Sequence, residues 1–265
     1  TVVSNIEALP HGILFWRAST HWIGGVGIIV FILSVLPSMG GASLVLYRSE
    51  MSPAALRQFK MRAKEAVRVI ASVYVVLTFL ETLALMICGL SLFDAITHSF
   101  ATIATGGFST KNLSVASFNN PAAEVVIMIF MFIAGMNFGL LFAITIGNFS
   151  AIKYSEVLKY YFFAHIIGIL IVAFDLYGSQ YDSLIQSLRY ASFQVLSLGT
   201  STGFASADSS VWSPFAQMIL IYFTLQCACA GSTSGGIKTD RIVILYKSIV
   251  RKIKHIIYPN AVFHI

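Results

Sequence analysis

Apolar residues run in long stretches along most of the chain, and the charged residues gather between them. A hydrocarbon core about 30 Å thick is crossed by roughly 20 helical residues. Five stretches reach or approach that length: Leu14–Leu36, Ile70–Leu90, Ala122–Ile146, Tyr160–Leu176 and Trp212–Ala230. A sixth, Ile237–Ile257, starts apolar and becomes amphipathic and basic. Pro37-Ser38-Met39-Gly40 stops the first helix. Ser52-Pro53 reads as an N-cap followed by a first helical residue, opening a short basic surface helix that runs to Arg68.

Composition supports a membrane chain. Apolar residues make up 57% and charged residues 11%, with a mean hydropathy of +0.81, where a soluble domain carries about 25% charged residues. That excludes a water-soluble globule, a disordered chain and a disulfide-stapled module. Cys88, Cys227 and Cys229 all lie in apolar runs and read as packing residues. Thr1 opens the chain without Met, signal peptide or transit segment, and the expectation is a piece of a longer protein. The net charge of +6 does not point to nucleic acid, because the basic residues cluster between the apolar runs. Arg48, Arg57, Lys60, Arg62, Lys64 and Arg68 form one cluster, Lys153 and Lys159 a second, and Lys238, Arg241, Lys247, Arg251, Lys252 and Lys254 a third. Placed in the cytoplasm by the positive-inside rule, they orient the first span inward and the next four alternately outward and inward. Trp16, Trp22, Tyr160, Tyr161, Tyr177, Tyr181 and Trp212 near span ends fit interfacial belts.

This orientation leaves two external stretches, 91–121 and 177–211. Each holds an apolar helical piece too short to span, Phe93–Ile103 and Leu184–Leu196, followed by Gly, Thr and Ser. A short helix that dips in and returns as irregular backbone is a re-entrant loop, tolerated at membrane depth only inside protein or beside a watery cavity. The loops align without gaps: Ala101-Thr102-Ile103-Ala104-Thr105-Gly106-Gly107-Phe108 with Ser197-Leu198-Gly199-Thr200-Ser201-Thr202-Gly203-Phe204, 96 residues apart. That spacing suits a duplicated membrane unit. A dehydrated monovalent cation needs weak neutral oxygen ligands, which backbone carbonyls supply. Glycine tolerates the angles that turn carbonyls toward an axis, and each half-helix would aim its negative C-terminal end at the cation. Neither loop contains the Asp or Glu that a divalent site would need.

The chain resembles the Trk/Ktr/HKT superfamily of potassium uptake proteins, nearest the bacterial Trk/Ktr membrane subunit. Four stretches carry the resemblance: His21-Trp22-Ile23-Gly24-Gly25-Val26-Gly27-Ile28-Ile29-Val30, Ala104-Thr105-Gly106-Gly107-Phe108-Ser109-Thr110, Thr200-Ser201-Thr202-Gly203-Phe204-Ala205-Ser206, and Ala230-Gly231-Ser232-Thr233-Ser234-Gly235-Gly236-Ile237-Lys238. The implied fold is an all-α integral membrane protein built of repeated span–half-helix–filter loop–span units, four around one pore. The implied organisation is the closing helix of a first unit in 1–40, a cytoplasmic basic linker helix in 41–69, a second unit in 70–147 and a third in 148–265. Thr1 is then expected just after the first filter, the fourth unit is missing, and the segment alone is not expected to conduct.

By this resemblance the ion-facing carbonyls belong to Ala104, Thr105, Gly106 and Gly107 and to Thr200, Ser201, Thr202 and Gly203, with Gly107 and Gly203 as filter glycines. The glycine-rich break in the last span is implied to be an intramembrane gating loop, Cys227, Ala228, Cys229, Ala230, Gly231, Ser232, Thr233, Ser234, Gly235 and Gly236, with Lys238 at its inner end. Three glycines in six residues weaken a helix by about 1 kcal/mol each relative to Ala, while close packing of small residues between helices is the alternative for that stripe. Potassium is the implied cargo, with no covalently bound cofactor. The implied partners are lipid, a second copy of the chain and a cytosolic nucleotide-binding ring subunit, in a bacterial inner membrane. Potassium against sodium, and channel flow against sodium- or proton-coupled symport, stay open.

Other polar residues carry structural expectations. Glu81 lies mid-span, where an acid is either functional or a hydrogen-bonded structural group. Asn137 is expected to hydrogen-bond between helices, His98 and His165 to pack, Arg189 to pair with Asp182 or Asp208, and Asp208 to be a solvated acid near the outer mouth. An intramembrane hydrolase built on Ser234 with His98 or His165 would explain neither the duplication nor the paired half-helices, so no enzymatic activity is expected. A proton-coupled organic carrier would need a relay of buried acids, and Glu81 alone is a thin one.

Overall fold

The computed structural model describes residues 3–35 and 63–257. The expected helix stop at Pro37 and the Ser52-Pro53 start of the basic linker lie outside the described residues, as do Arg48, Arg57, Lys60 and Arg62.

The helices are α1 (His11–Val35), α2 (Ala63–Ile87), α3 (Leu92–Ile103), α4 (Pro121–Ala134), α5 (Phe138–Thr145), α6 (Ser150–Tyr154), α7 (Glu156–Leu176), α8 (Leu184–Gly199), α9 (Pro214–Leu225) and α10 (Thr239–Ile257). Two strands of two residues, β1 (Gln226–Cys227) and β2 (Ile237–Lys238), pair in parallel. Short polar caps start the helices where the sequence supplies them. Ser91 accepts from the Asp94 amide at 3.1 Å, Asn120 from Ala122 and Ala123 ahead of Pro121 in the first turn of α4, Ser155 from Leu158, and Ser213 from Ala216, with Pro214 again in the first turn. Each such cap is worth about 1 kcal/mol.

The packing repeats. In one copy α3 sits between α2 and α4; in the other α8 sits between α7 and α9. The copies meet where α8 lies against α4, and α1 closes on α2 and α3. One buried cluster joins the copies through Leu85, Ala101, Ile127 and Met131 of the first and Phe193 and Phe204 of the second. A second, with Val172, Ala191, Trp212 and Phe223, belongs to the later copy alone. The outer faces of α2, α7 and α9 are apolar and exposed, including Val76, Phe79 and Leu83, then Phe163, Ile167 and Phe174, then Phe215, Met218 and Ile221. Glu81, His98, Gln194 and Thr200 are buried inside. Apolar side chains outside and polar ones within is the arrangement a lipid solvent favours.

Among the described residues, Arg68–Ile87 and Glu156–Leu176 are each long and apolar enough to cross a bilayer. Two other expected spans are not continuous helices. Ala122–Ile146 is bent by 103° between α4 and α5. The break has a cause: the Asn137 carbonyl oxygen Oδ1 caps the amides of Gly139 and Leu140 at 2.8 and 3.2 Å, so residues 135–137 leave the helix and a new one begins. Asn137 was expected to hydrogen-bond between helices; it caps one, and its amide nitrogen reaches the Ala230 carbonyl in the glycine-rich segment instead of a second helix. Trp212–Ala230 likewise shortens to α9, ending at Leu225, because Gln226 and Cys227 turn to pair with Ile237 and Lys238. Helix resumes at Thr239 instead of Ile237. The half-helix expected to end at Leu196 runs to Gly199, level with the end of α3.

Candidate functional site

Each half-helix ends in a loop whose backbone is the same in both copies. In the first, the amides of Ala104, Thr105, Gly106 and Gly107 donate back to the carbonyls of Phe100, Thr102, Ala101 and Ala101 at 3.2, 2.9, 2.7 and 3.3 Å. In the second, Thr200, Ser201, Thr202 and Gly203 donate to Leu196, Leu198, Ser197 and Ser197 at 2.9, 2.9, 2.9 and 3.1 Å. Every donor and acceptor is displaced by the same 96 residues. Positive φ angles recur at matched positions, 51° at Thr105 and 56° at Ser201, then 69° at Gly107 and 84° at Gly203. Two residues in each loop therefore adopt the left-handed region, which costs a non-glycine residue about 1–2 kcal/mol and which the surrounding bonds must hold.

With the amides turned back to the half-helices, the carbonyls are left over. Among the described residues no hydrogen bond reaches the carbonyl oxygens of Thr105, Gly106, Gly107, Ser201, Thr202 or Gly203. Backbone oxygens left this way need water or an ion, and rings of them can replace the hydration shell of a monovalent cation. The loops also touch. A Cβ added to Gly107 would fall 1.9 Å from the Thr202 carbonyl oxygen. All eight residues expected to face an ion thus lie in two abutting loops at the ends of two buried half-helices.

Side chains brace each loop from behind. His98 Nδ1 reaches the Asp94 carbonyl and Nε2 the Ser109 hydroxyl, both at 2.8 Å. With the proton on Nδ1, Nε2 accepts from Ser109, and both ring nitrogens are satisfied. Asp94 accepts from Thr110 at 2.6 Å and from Ser91 at 2.7 Å. From α1, Arg17 donates to the Ser109 carbonyl and lies over the Phe108 ring, and His21 packs on that ring at 4.1 Å. The α1 glycine stretch has a matching role. A Cβ at Gly25 would meet Tyr74 Oη at 2.7 Å and Ala104 Cα at 3.1 Å, so only glycine lets α1 approach the loop this closely. In the later copy Gln194, 96 residues after His98, donates to the Ala207 carbonyl at 2.6 Å, and Ser197 donates to the Phe204 carbonyl at 2.6 Å. Ser114 and Ala116 tie the copies together through the amide and carbonyl of Ala205. His165, expected to pack, is buried against Gly199, with Nδ1 on the Tyr161 carbonyl.

Arg189 pairs with neither Asp182 nor Asp208. Its fork binds Glu124 at 2.6 and 2.8 Å, joining α8 of one copy to α4 of the other. Sequence reasoning assumed a partner close in the chain; Glu124 lies 65 positions earlier and comes near only when the copies pack. Asp208 is an exposed acid that caps the turn at Ser209–Val211, and hydrogen bonds from the Ser210 hydroxyl and amide hold its carboxyl below the usual carboxylate range. Glu81 is fully buried, with neither carboxylate oxygen in a hydrogen bond among the described residues.

The glycine-rich segment, from Cys227 to Gly236 with Lys238, is an irregular loop closed at its base by the β1–β2 pair. Its roots are buried and pinned. Asn137 Nδ2 donates to the Ala230 carbonyl at 2.6 Å, Asp240 accepts from the Ala230 amide at 2.7 Å, and Thr239 donates to the Cys227 carbonyl at 2.8 Å. Gly231, at φ 77°, lies so close to Asn137 that a Cβ would sit 2.5 Å from Nδ2. Cys227 and Cys229 are buried packing residues, Cys227 against Gly236. Lys238 reaches back to the Ser234 carbonyl. The apex faces the two loops that follow α3 and α8: Thr233 donates to the carbonyl of Ile103, the last residue of α3, at 2.9 Å, and the Gly235 amide donates to Ser201 Oγ at 2.8 Å. Asp240, Thr239 and Glu124 were not anticipated. Gln194 was legible in principle, as the residue that falls on His98 in the 96-residue alignment.

Known proteins resemble this chain along its whole length. The model of the TrkH cation transport protein family matches residues 1–265. The Trk system potassium uptake protein TrkH of Salmonella typhimurium is 38% identical over 270 residues, and that of Halomonas elongata 35% over 274. The crystal structure of the potassium transporter TrkH from Vibrio parahaemolyticus superposes with a TM-score of 0.86 at 32% identity, covering 100% of this chain and 54% of that one. The match takes in 100% of this chain with the Salmonella protein and 99% with the Halomonas protein, but 56% and 55% of those relatives, so the chain spans about half their length. The chain belongs to the TrkH cation transport protein family, with the repeated helical pore fold of an integral membrane protein.

Proposed function

We propose that this chain forms about half of the pore of a potassium uptake protein. The carbonyls of Ala104, Thr105, Gly106, Gly107, Thr200, Ser201, Thr202 and Gly203 serve as part of the ion path, and the loop from Cys227 to Gly236 with Lys238 serves as the gate. The observation that carries this reading is the pair of abutting loops with matched backbone bonds, in which the carbonyls of Thr105, Gly106, Gly107, Ser201, Thr202 and Gly203 accept no hydrogen bond among the described residues. The relatives' names support potassium as cargo. The half-helix C-termini, Ile103 and Gly199, add negative potential behind each loop.

The working assembly in this reading is a homodimer in a bacterial inner membrane, with a cytosolic nucleotide-binding ring below it. The basic α10, with Arg251, Lys252 and Lys254 exposed, supports a contact with anionic headgroups or an acidic protein face on the inner side. The test uses the full reading frame that carries this sequence, in cells lacking other potassium uptake. Wild type restores growth at low potassium, and deleting Ala230–Gly235 raises rubidium flux. Unchanged or lower flux at normal expression counts against the gate, and no rubidium uptake by the wild type counts against the potassium reading.

A further inference from the structure

The intramembrane loop is held in two different ways. Its roots are fixed by buried groups, Asn137 capping α5 and Asp240 and Thr239 at the start of α10. Lys238 ties the Ser234 carbonyl back to the loop base; beyond that, among the described residues, the apex donates two hydrogen bonds, both to filter elements: Thr233 to the Ile103 carbonyl and the Gly235 amide to Ser201 Oγ. Gly235 is exposed and makes no close packing contact; the nearest atom to an added Cβ would be Ser201 Oγ itself, at 4.0 Å. Ser201 therefore belongs to two structures. Its backbone takes the left-handed angle that shapes the filter loop, and its hydroxyl accepts from the loop beneath.

The matched residue of the other copy shows that the second role is not needed for the first. Thr105 takes the same backbone angle, yet its hydroxyl donates to the preceding Ala104 carbonyl, with no loop attached among the described residues. A hydroxyl residue at this position can thus satisfy itself locally, whereas the Ser201 oxygen accepts from Gly235 and, among the described residues, its hydroxyl donates to no neighbouring carbonyl. Resting on the ion-path and gate reading above, we infer that Ser201 is a positioning residue that latches the apex of the intramembrane loop to the filter of its own unit. The latch holds the loop shut from the filter side. Because one residue joins both, an ion that reshapes the filter loop alters the hold on the apex, and by linkage the apex alters ion affinity equally.

The full-length protein, reconstituted in liposomes, tests this through two readouts: hydrogen–deuterium exchange at the Gly235 amide and rubidium flux. Ser201→Ala removes the acceptor and is expected to speed Gly235 exchange and raise basal flux by roughly 2- to 10-fold, the equivalent of one net hydrogen bond. Ser201→Thr keeps the hydroxyl on a backbone angle that Thr105 already tolerates, and restores slow exchange at Gly235. Thr105→Ala, the matched filter substitution, leaves Gly235 exchange at its wild-type value. Exchange in the wild type differs between potassium and choline media. The latch is overturned by unchanged Gly235 exchange or by unchanged or lower flux in Ser201→Ala, by failure of Ser201→Thr to restore protection, or by faster Gly235 exchange in Thr105→Ala. Equal wild-type exchange in the two media overturns the coupling. Should the wild type carry no rubidium, the potassium reading fails by itself while the exchange measurements still decide the latch.

Discussion

The loop at 104–107 and the loop at 200–203 have one backbone and two kinds of support. Four amides fold back to the half-helix in each, with left-handed angles at the same two positions. Behind the first stands a polar cage: Asp94 on Ser91 and Thr110, His98 on Ser109, and Arg17 on the Ser109 carbonyl. Behind the second stand uncharged groups, Gln194 on Ala207, Ser197 on Phe204, and Thr200 beside Thr202 at 2.7 Å. Below the second hangs the Gly235 apex. The difference teaches that one carbonyl geometry can stand on unlike braces, provided each fills its space and satisfies its polar atoms.

The two glycines give the sharpest way to break this equivalence. Gly107 and Gly203 share their backbone angle, but an added Cβ at Gly107 would strike the Thr202 carbonyl, whereas at Gly203 it meets nothing within 4 Å. Gly107→Ala is expected to abolish potassium uptake in a growth assay and to lower the melting temperature in detergent. Gly203→Ala is expected to cost only the backbone angle, about 1–2 kcal/mol, and to keep measurable flux. Equal damage from both would mean that the contact between loops is unimportant. The braces give an intermediate effect. His98→Ala leaves Ser109 and a fully buried space unsatisfied and should lose about 1–3 kcal/mol of stability. His98→Gln, imitating position 194, should recover most of it; a thermal melt that ranks the two alike would show that the braces are not interchangeable. The smallest effect belongs to Asp208, exposed and, among the described residues, bonded to Ser210. Asp208→Asn is expected to change rubidium flux by less than about twofold, and only at low ionic strength, where an exposed charge still acts at a distance.

Particular residues show why part of the fold could be read early. The half-helix at Leu92–Ile103 was visible because an apolar stretch too short to span a bilayer stood between Ser91 and a glycine pair. The alignment of Gly107 with Gly203 exposes the duplication in the sequence itself. Asn137 was misjudged because an asparagine within an apolar run looks alike whether it bridges helices or caps one. What settles the matter is the Ala230 carbonyl, 93 positions away. Arg189 was misassigned for a similar reason, since nearby Asp182 and Asp208 compete on paper with a Glu124 that only packing brings close. Gln226 gave no warning of ending α9, because the strand pair that ends it needs Ile237 and Lys238.

What the sequence determined by itself is local: the lipid-facing composition, the positions of the half-helices, the paired glycine loops and the family they belong to. Each depends on residue type and short-range spacing, which the backbone and the bilayer read directly. What only the tertiary structure decided is the set of contacts between units: the bend at Asn137, the Glu124–Arg189 fork, the approach of Gly107 to Thr202 and the hold of Ser201 on Gly235. The partners, Ala230 for Asn137 among them, lie tens of positions apart; packing alone brings them together, and the buried polar groups among them must find partners wherever it places them.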